Sequence, residues 1–442
     1  MNKLLSLHFG ILALFISCKT SQPFLQDLPS SVHIGPAIQI DKTPFGFGVC
    51  EPTICINPAN KNQIAAGSIL NWSYISNDGG MTWSKKGLES PYGVYGDPVV
   101  RIDYNGVIYY SHLSNPDDAA YRSESFLDRI VVQRSLDFGQ TWNEGTFPAV
   151  RGSRDQDKQW MAIQEETNHL AMTWTEFDEY GSKDPTCYSR ILFSKSIDSG
   201  LSWSEPISIN ELEGNCIDDD ETTEGAVPSF GINGEIYVAW SYKDEIFFDR
   251  SMDGGTTWLD QDISIAKQPG GWTYDLPGIM RCNGMPITGV DHSQSTYRGR
   301  IYVNWSDQRN GTDDTDIWLI HSDDQGKSWS NPLKVNDDSG QKHQFFTWMD
   351  IDEKTGYLYI VFYDRRNYDD NLTDVYLAYS MDGGQTFANK KINTNPFTPT
   401  DNVFFGDYND ISAYDGSVRP IWTQLDGLEL SVWTSIIEVP DN

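Results

Sequence analysis

Apolar residues recur along the chain in short runs separated by Gly, Pro, Asn and Asp, without the three-to-four spacing of amphipathic helices. Segments 63–69, 107–112, 169–174, 235–240, 300–305, 357–362 and 417–422 are each apolar and rich in β-branched or aromatic residues. That composition suits a pleated, buried strand. Each is read as the second strand of a repeated unit, with first strands beginning near Pro52, Pro98, Gln159, Ala226, Leu276, Phe346 and Tyr408. The expected class is all-β.

A second periodicity punctuates the first. The pattern S-x-D-x-G-x-[ST]-[WF] occurs at 76–83, 135–142, 196–203, 251–258, 322–329 and 380–387. Its aspartates, Asp78, Asp137, Asp198, Asp253, Asp324 and Asp382, are spaced by 59, 61, 55, 71 and 58 residues, which suits one four-stranded propeller blade each. The Asp can accept hydrogen bonds from turn amides, the Gly supplies a positive φ, and the aromatic residue packs between sheets. Six equivalent copies imply a hairpin staple rather than a catalytic group.

These boxes resemble those of the Asp-box (BNR) propellers of the sialidase superfamily, over about residues 45–435. The resemblance implies that each box joins the third and fourth strands of a blade, at the end opposite the ligand pocket. The seventh unit has three strands and no box. Residues 35–41, Gly-Pro-Ala-Ile-Gln-Ile-Asp, resemble the segments that follow boxes at 205–210 and 331–337. An N-terminal strand is therefore expected to complete the last blade and close the ring, giving seven blades, with the six of known sialidases as the alternative.

At the N-terminus, Lys3 precedes an apolar run over 4–16 that ends in Ile16-Ser17-Cys18. It reads as an export signal. The ending resembles a bacterial lipobox, implying cleavage before Cys18 and acylation of its thiol; an ordinary signal peptide is the alternative. The expected organisation is a signal peptide over 1–17, a tether over 18–30 and one propeller domain over 31–442. Among the later cysteines, Cys187 and Cys216 are candidates to bridge two loops, and the odd count leaves a free thiol.

The formal net charge is −31, from 63 acidic and 32 basic residues. Such a field repels nucleic-acid backbones and anionic lipid, so membrane contact is expected through the lipid anchor alone, and the chain is expected to be a monomer. No cofactor is expected. Asp218-Asp219-Asp220 and Asp313-Asp314-Thr315-Asp316 offer oxygens to calcium without an EF-hand spacing, and solvated loops are the blander reading.

If strands alternate within each blade, first-strand starts and second-strand ends converge opposite the boxes. Glu51, Asp97, Asp157, Glu224, Gln344 and Asp407 stand at the starts, and His112, Glu176, Asp307, Asp364 and Gln424 at the ends. Asp407 and Tyr408, with Asp364 or Glu224, are the candidate acid-base and nucleophilic groups. Arg309, Arg365 and Arg366, in Asp307-Gln-Arg309 and Asp364-Arg-Arg366, are candidate grips for a substrate carboxylate or sulfate, and Asp–Arg bridging between loops is the structural alternative. Asp307, Glu51, Asp97, His112 and Trp272 complete the candidate binding set, with His343 a further candidate. Trp72, Trp160 and Trp348 are aromatic faces that either stack on sugar or pack between blades.

In the sialidase superfamily three arginines hold the substrate carboxylate, the first in an Arg-Ile-Pro motif. The matching region here, 45–53, reads Phe-Gly-Phe-Gly-Val-Cys-Glu-Pro-Thr and supplies Glu51 instead, so the arginine triad does not carry over. The expected function is a glycoside hydrolase acting on an extracellular glycan through two funnel carboxylates. Lyase action on a uronate-containing glycan and glycan or protein binding without turnover are the alternatives.

Overall fold

The computed structural model describes residues 32–43, 48–116, 120–121 and 123–440. The expected signal peptide, Cys18 and the tether lie outside the described residues, as do Phe45, Gly46 and Phe47. Seven antiparallel sheets form from the seven apolar units, six with four strands and one with three. Their second strands are Ile64–Ser68, Ile108–Leu113, Leu170–Phe177, Ile236–Tyr242, Ile301–Asp307, Leu358–Asp364 and Ser417–Asp426, all but the tip of the last buried or nearly so. In blade 2 the fourth strand is reduced to a single bridge between Val132 and Thr146. No helix among the described residues is long and apolar enough to cross a membrane.

The ring closes as expected. Strand His33–Thr43 pairs antiparallel with Glu429–Glu438, with Ala37 opposite Ser435 and Thr43 opposite Leu430, and completes blade 7. Polar links tie neighbouring blades around the circle. Thr53 Oγ1 donates to Asp410 Oδ2 (2.8 Å) between blades 1 and 7, Thr173 Oγ1 to Ala226 O (2.7 Å) between blades 3 and 4, and Thr347 Oγ1 to Asn304 Oδ1 (2.7 Å) between blades 6 and 5. Each link satisfies a buried polar group that would otherwise oppose burial of the surrounding apolar side chains.

All six boxes adopt one geometry. In the first, Ser76 Oγ donates to Asp78 Oδ1 (2.8 Å) while accepting from Gly80 N (2.9 Å), and Thr82 donates through N and Oγ1 to the two carboxylate oxygens (2.9 and 2.6 Å). The box glycine is required twice over: at Gly255 φ is +84°, and a Cβ would stand 2.4 Å from Phe193 Cε1 of the preceding blade. A cation from the preceding blade then bonds a carbonyl of each box turn. Lys86 reaches Gln140 O (2.7 Å), Arg134 reaches Ser199 O (2.6 Å), Lys195 reaches Gly254 O (2.5 Å), Arg250 reaches Gln325 O, Arg300 reaches Gly383 O (2.9 Å) and Arg419 reaches Gly79 O (2.9 Å).

One blade departs from the sequence expectation. The first strand of blade 5 is Ile287–Val290, not a segment starting near Leu276. Residues 268–286 instead form a long connection whose turns need positive φ at Gly270, Gly271 and Gly278, and whose apolar residues Trp272, Tyr274 and Leu276 are buried in the core. Their burial mimics the signal of a strand. This connection carries Arg281 to the propeller axis.

Candidate functional site

At the end away from the boxes, the innermost strands begin irregularly. Glu51, Asp97, Lys158 and Phe346 have φ of 52°, 47°, 51° and 49°, and Gly225 has 74°. Strand register slips at the corresponding place in blades 3, 4 and 6. A bulge breaks side-chain alternation and re-aims a residue; the left-handed conformation costs a non-glycine residue on the order of 1 kcal/mol, strain that collects at working sites. Glu51, Asp97 and Lys158 thereby line the floor of a cavity of about 870 Å³, together with Cys50, Asp157 and Arg281.

Lys158 comes from blade 3 and is 4% exposed. Its Nζ donates to Asp407 Oδ2 (2.8 Å) at the entry to blade 7 and to Asp97 Oδ2 (3.2 Å) at the entry to blade 2. Arg281 meets Asp407 from the other side, through Nε to Oδ1 (2.9 Å) and Nη2 to Oδ2, and sends Nη1 to Asp218 Oδ2 (3.1 Å). Asp218 also accepts from Tyr180 OH (2.8 Å) and Trp272 Nε1 (2.9 Å). Gly406 lets this arrangement close, because a Cβ there would stand 2.9 Å from the Glu51 backbone nitrogen.

These contacts push neighbouring carboxyls in opposite directions. Burial alone would raise Asp407, but Arg281 and Lys158 outweigh it and hold the carboxyl well below its usual range. Burial, then the charge of Asp97, pushes Glu51 well up and Asp157 to about 7. Glu224 is pushed well up by burial and then by Asp218 and Asp157. Glu51 Oε1, Glu224 Oε1 and Tyr408 OH are buried without a hydrogen-bond partner. Burial of an unpartnered carboxyl favours its protonated form.

In the core beside these acids, Trp160 packs on Trp348 (ring centroids 4.3 Å apart) and edge-on to Tyr408 (5.0 Å), and all three rings are buried off the cavity. The walls are mainly apolar. Phe126 lies edge-on between Tyr95 (5.3 Å) and Tyr121 (5.5 Å), and Arg281 lies over Phe404 (5.5 Å). The disulfide Cys187–Cys216 ties together the loops that hold Tyr180 and Asp218, and Gly181 N donates across it to Cys216 O (2.7 Å). Cys50, Cys55 and Cys282 are free thiols.

Comparison with known proteins accords with this architecture. Residues 74–85 match the BNR/Asp-box repeat family. The chain carries Asp-box repeats. No curated protein sequence matches it. Among solved structures, it is similar to a family PL25 ulvan lyase bound to -[GlcA(1-4)Rha3S]-, at 11% identity and TM-score 0.54, covering 89% of this chain and 94% of the lyase. It is also similar to the α-L-arabinofuranosidase Arb93A from Fusarium graminearum, at 13% identity and TM-score 0.52, over 92% of this chain and 98% of that one. The NanB sialidase from Streptococcus pneumoniae matches at 10% identity and TM-score 0.50, over 86% and 82% of the two chains. At these identities the likeness is one of fold.

The residues singled out from sequence divide into two groups. Glu51 and Asp97 line the cavity; Asp407 lies directly behind Lys158 and Arg281, with Tyr408 and Glu224 buried nearby. Asp307, Arg309, Asp364, Arg365 and Arg366 lie off the cavity. The Asp-x-Arg spacing closes on itself: Arg309 Nε bonds Asp307 Oδ1 (2.9 Å) and Arg366 Nε bonds Asp364 Oδ2 (2.7 Å). Arg365 donates to Pro277 O (2.7 Å), bracing the blade 5 connection.

Trp272 is 2% exposed and braces Asp218, so it presents no face to a ligand. His112 is fully buried, which lowers it to about 4, and its Nδ1 is 2.8 Å from Leu113 O. His343, likewise lowered by burial to about 4, lies 3.1 Å from Thr315 Oγ1. Trp160 and Trp348 are core residues, and Trp72 is covered by Lys85 at 3.7 Å. In the acidic loops, Asp218 is committed to Arg281 and Asp316 to Lys334 (3.1 Å). No group of three or more His, Cys, Asp or Glu among the described residues is arranged to hold a metal ion.

Asp157 stands at a first-strand start by sequence, whereas Lys158, Arg281 and Tyr180 are site residues outside the sequence candidates. Lys158 had a usable signal: a lysine inside Asp155–Ile163, a strand whose first seven residues are all buried, needs a buried counter-charge. Arg281 had none, because its position depends on the non-repeating connection of blade 5.

Proposed function

We propose that the chain is a carbohydrate-active enzyme, a glycoside hydrolase whose reacting groups lie on the funnel floor. The observation that carries this reading is the split electrostatics of that floor: Glu51, buried and pushed toward the protonated form, stands beside Asp97, which accepts from Lys158. Glycosidic cleavage needs one carboxylic acid to protonate the leaving oxygen and one carboxylate to act as nucleophile or base. Glu51 is the proton donor and Asp97 the carboxylate. Asp407 is a positioning residue that holds Lys158 and Arg281.

The aromatic walls suit this role, since a sugar ring presents an apolar face to tyrosine and phenylalanine and hydroxyls to a polar floor. The likeness in fold to an arabinofuranosidase, a sialidase and a polysaccharide lyase supports a glycan ligand without selecting one. Export, with lipid attachment at Cys18, belongs to the same reading. The Cys187–Cys216 disulfide supports it, because such bonds persist in oxidising compartments.

The test is product detection with a soluble form starting after Cys18, incubated with sialylated, neutral and uronate-containing glycans beside its Glu51→Gln variant. The expected outcome is a released reducing sugar, with turnover in the variant lower by about 10²–10⁴-fold and glycan affinity retained. An unsaturated, ultraviolet-absorbing product would replace hydrolysis with elimination. Saturable glycan binding without any product would make the funnel a binding site.

A further inference from the structure

The charge on the funnel floor also restricts what enters it. Among the described residues lining the cavity, the cations are Lys158 and Arg281. Both are already engaged. Lys158 bonds Asp407 and Asp97, and Arg281 bonds Asp407 and Asp218. Around these two cations stand Glu51, Asp97, Asp157, Asp218, Glu224 and Asp407, six carboxyl groups. If Glu51, Asp157 and Glu224 each keep a proton, the three ion-paired carboxylates still exceed the two cations by one. A carboxylate, sulfate or phosphate on a ligand would meet a floor with no surplus positive charge.

The residues that would have changed this balance are spent elsewhere. Arg309 and Arg366 neutralise Asp307 and Asp364 in their own loops, and Arg365 bonds a backbone carbonyl. None of the three reaches the cavity. Meanwhile Glu51 lines the cavity and is 3% exposed, and its Oε1 is buried without a hydrogen-bond partner, a polar group that a ligand hydroxyl or bridging oxygen would satisfy. When protonated, that carboxyl can donate to a neutral oxygen and accept from a hydroxyl.

We infer that the funnel accepts a glycan terminus without carboxylate, sulfate or phosphate, and discriminates against acidic sugars by charge. The inference rests on the proposed glycan-hydrolase reading and names its substrate class. The sugar's hydroxyls meet Glu51 and Asp97, and its apolar face lies against the cluster of Tyr95, Tyr121 and Phe126. An acidic group in the same place would lie among like charges in a partly enclosed cavity, where solvent screens them weakly.

The test is equilibrium binding to the purified Glu51→Gln chain, which removes turnover while leaving the charge of a protonated Glu51 unchanged. The probes are oligosaccharides in matched pairs that differ by one carboxylate or one sulfate, such as lactose with sialyllactose and xylo-oligosaccharides with their glucuronate-bearing forms. Within any pair that binds, the acidic member is expected to bind at least about tenfold more weakly. An acidic member binding as tightly as its neutral partner would overturn the substrate class and leave the glycan reading intact. No binding to any glycan by either the parent or the variant would overturn both. Asp218→Asn adds a second readout: with one acid removed from Arg281, the acidic member's affinity is expected to rise toward that of the neutral one, and an unchanged gap in a folded variant would count against the charge mechanism.

Discussion

The two ends of this propeller use aspartate in opposite ways. At the box end, six carboxylates sit on the surface, accept amide and hydroxyl hydrogen bonds from their own turns, and are held below the usual carboxylate range by those bonds. At the funnel end, Asp157 and Asp407 are buried, bond to cations or stand beside acids from other blades, and are driven apart, one up and one down. The box end repeats; the funnel end does not. Hydrogen bonds within a tight turn can be copied around a ring at no cost to other blades. A group of interacting buried charges can be built only once, at the axis where all blades meet, and each member's state depends on the others.

The largest effect that separates the two ends is expected from Asp407→Asn. The amide leaves Lys158 and Arg281 without their shared counter-charge. Removing one member of a buried ion pair costs about 3–5 kcal/mol, so denaturant unfolding should show a loss of that order, with turnover falling alongside. Because Asp407 is depressed in the folded state, the stability it supplies is present above its unfolded value near 4 and is lost as pH falls through the lower folded value. The variant should therefore lose part of the parent's acid-unfolding transition. A variant as stable as the parent would mean that Asp407 is not the hub.

The disulfide follows. It closes a 29-residue separation, for which the chain-entropy relation gives about 3–4 kcal/mol. Cys187→Ser with Cys216→Ser is expected to lower stability by that order and to weaken turnover further, because the loops it joins hold Tyr180 and Asp218 against Arg281. Glycan titration should show the loss at the funnel, with hydrogen exchange at the box turns unchanged. Equal loosening at both ends would reduce the disulfide to a general brace.

A third effect is opposite in sign to that of Asp407 and is spread over several pH units. Asp157 is raised to about 7 by burial and by Asp97. The unfolded chain ionises this group near pH 4, so between there and about 7 the folded state holds the extra proton and stability falls as pH rises, by about 1.4 kcal/mol per pH unit per proton. The loss is complete above the folded value. Asp157→Asn should flatten that slope in unfolding curves measured across pH 4 to 7, and a slope that survives the substitution would assign the proton to Glu51 or Glu224.

The same contrast explains what could be read from the sequence. The six boxes, the seven second strands and a closing strand at 35–41 were legible because each is a local pattern, whereas Cys187 and Cys216 were only candidates for a bridge, since the five cysteines after Cys18 allow many pairings. Glu51 and Asp97 were legible as members of a repeating position at first-strand starts. The Asp-x-Arg segments of blades 5 and 6 looked like a substrate grip, but a two-residue spacing lets the guanidinium fold onto its own aspartate. Arg281 and Tyr180 stand in connections outside the repeat, so no periodicity marks them. Lys158 is the intermediate case, a repeat position occupied by a residue whose partners are supplied by two other blades.

The smallest effect is expected where the motif is strongest. Asp198→Asn changes a surface carboxylate whose partners are Ser196, Leu201 and Ser202 of the same turn. The amide oxygen can still accept from the Ser202 amide, and the Gly200 amide still finds Ser196 Oγ (2.8 Å). The cation from the neighbouring blade bonds a carbonyl, Ser199 O, rather than the aspartate, so the link between blades 2 and 3 survives. Five other boxes continue to staple their own hairpins. The thermal midpoint should fall by no more than about 1–2 °C, and turnover should be unchanged. A large loss of turnover would show that the repeat communicates with the funnel through its blade, and would remove the physical separation between a copied staple and a single shared site.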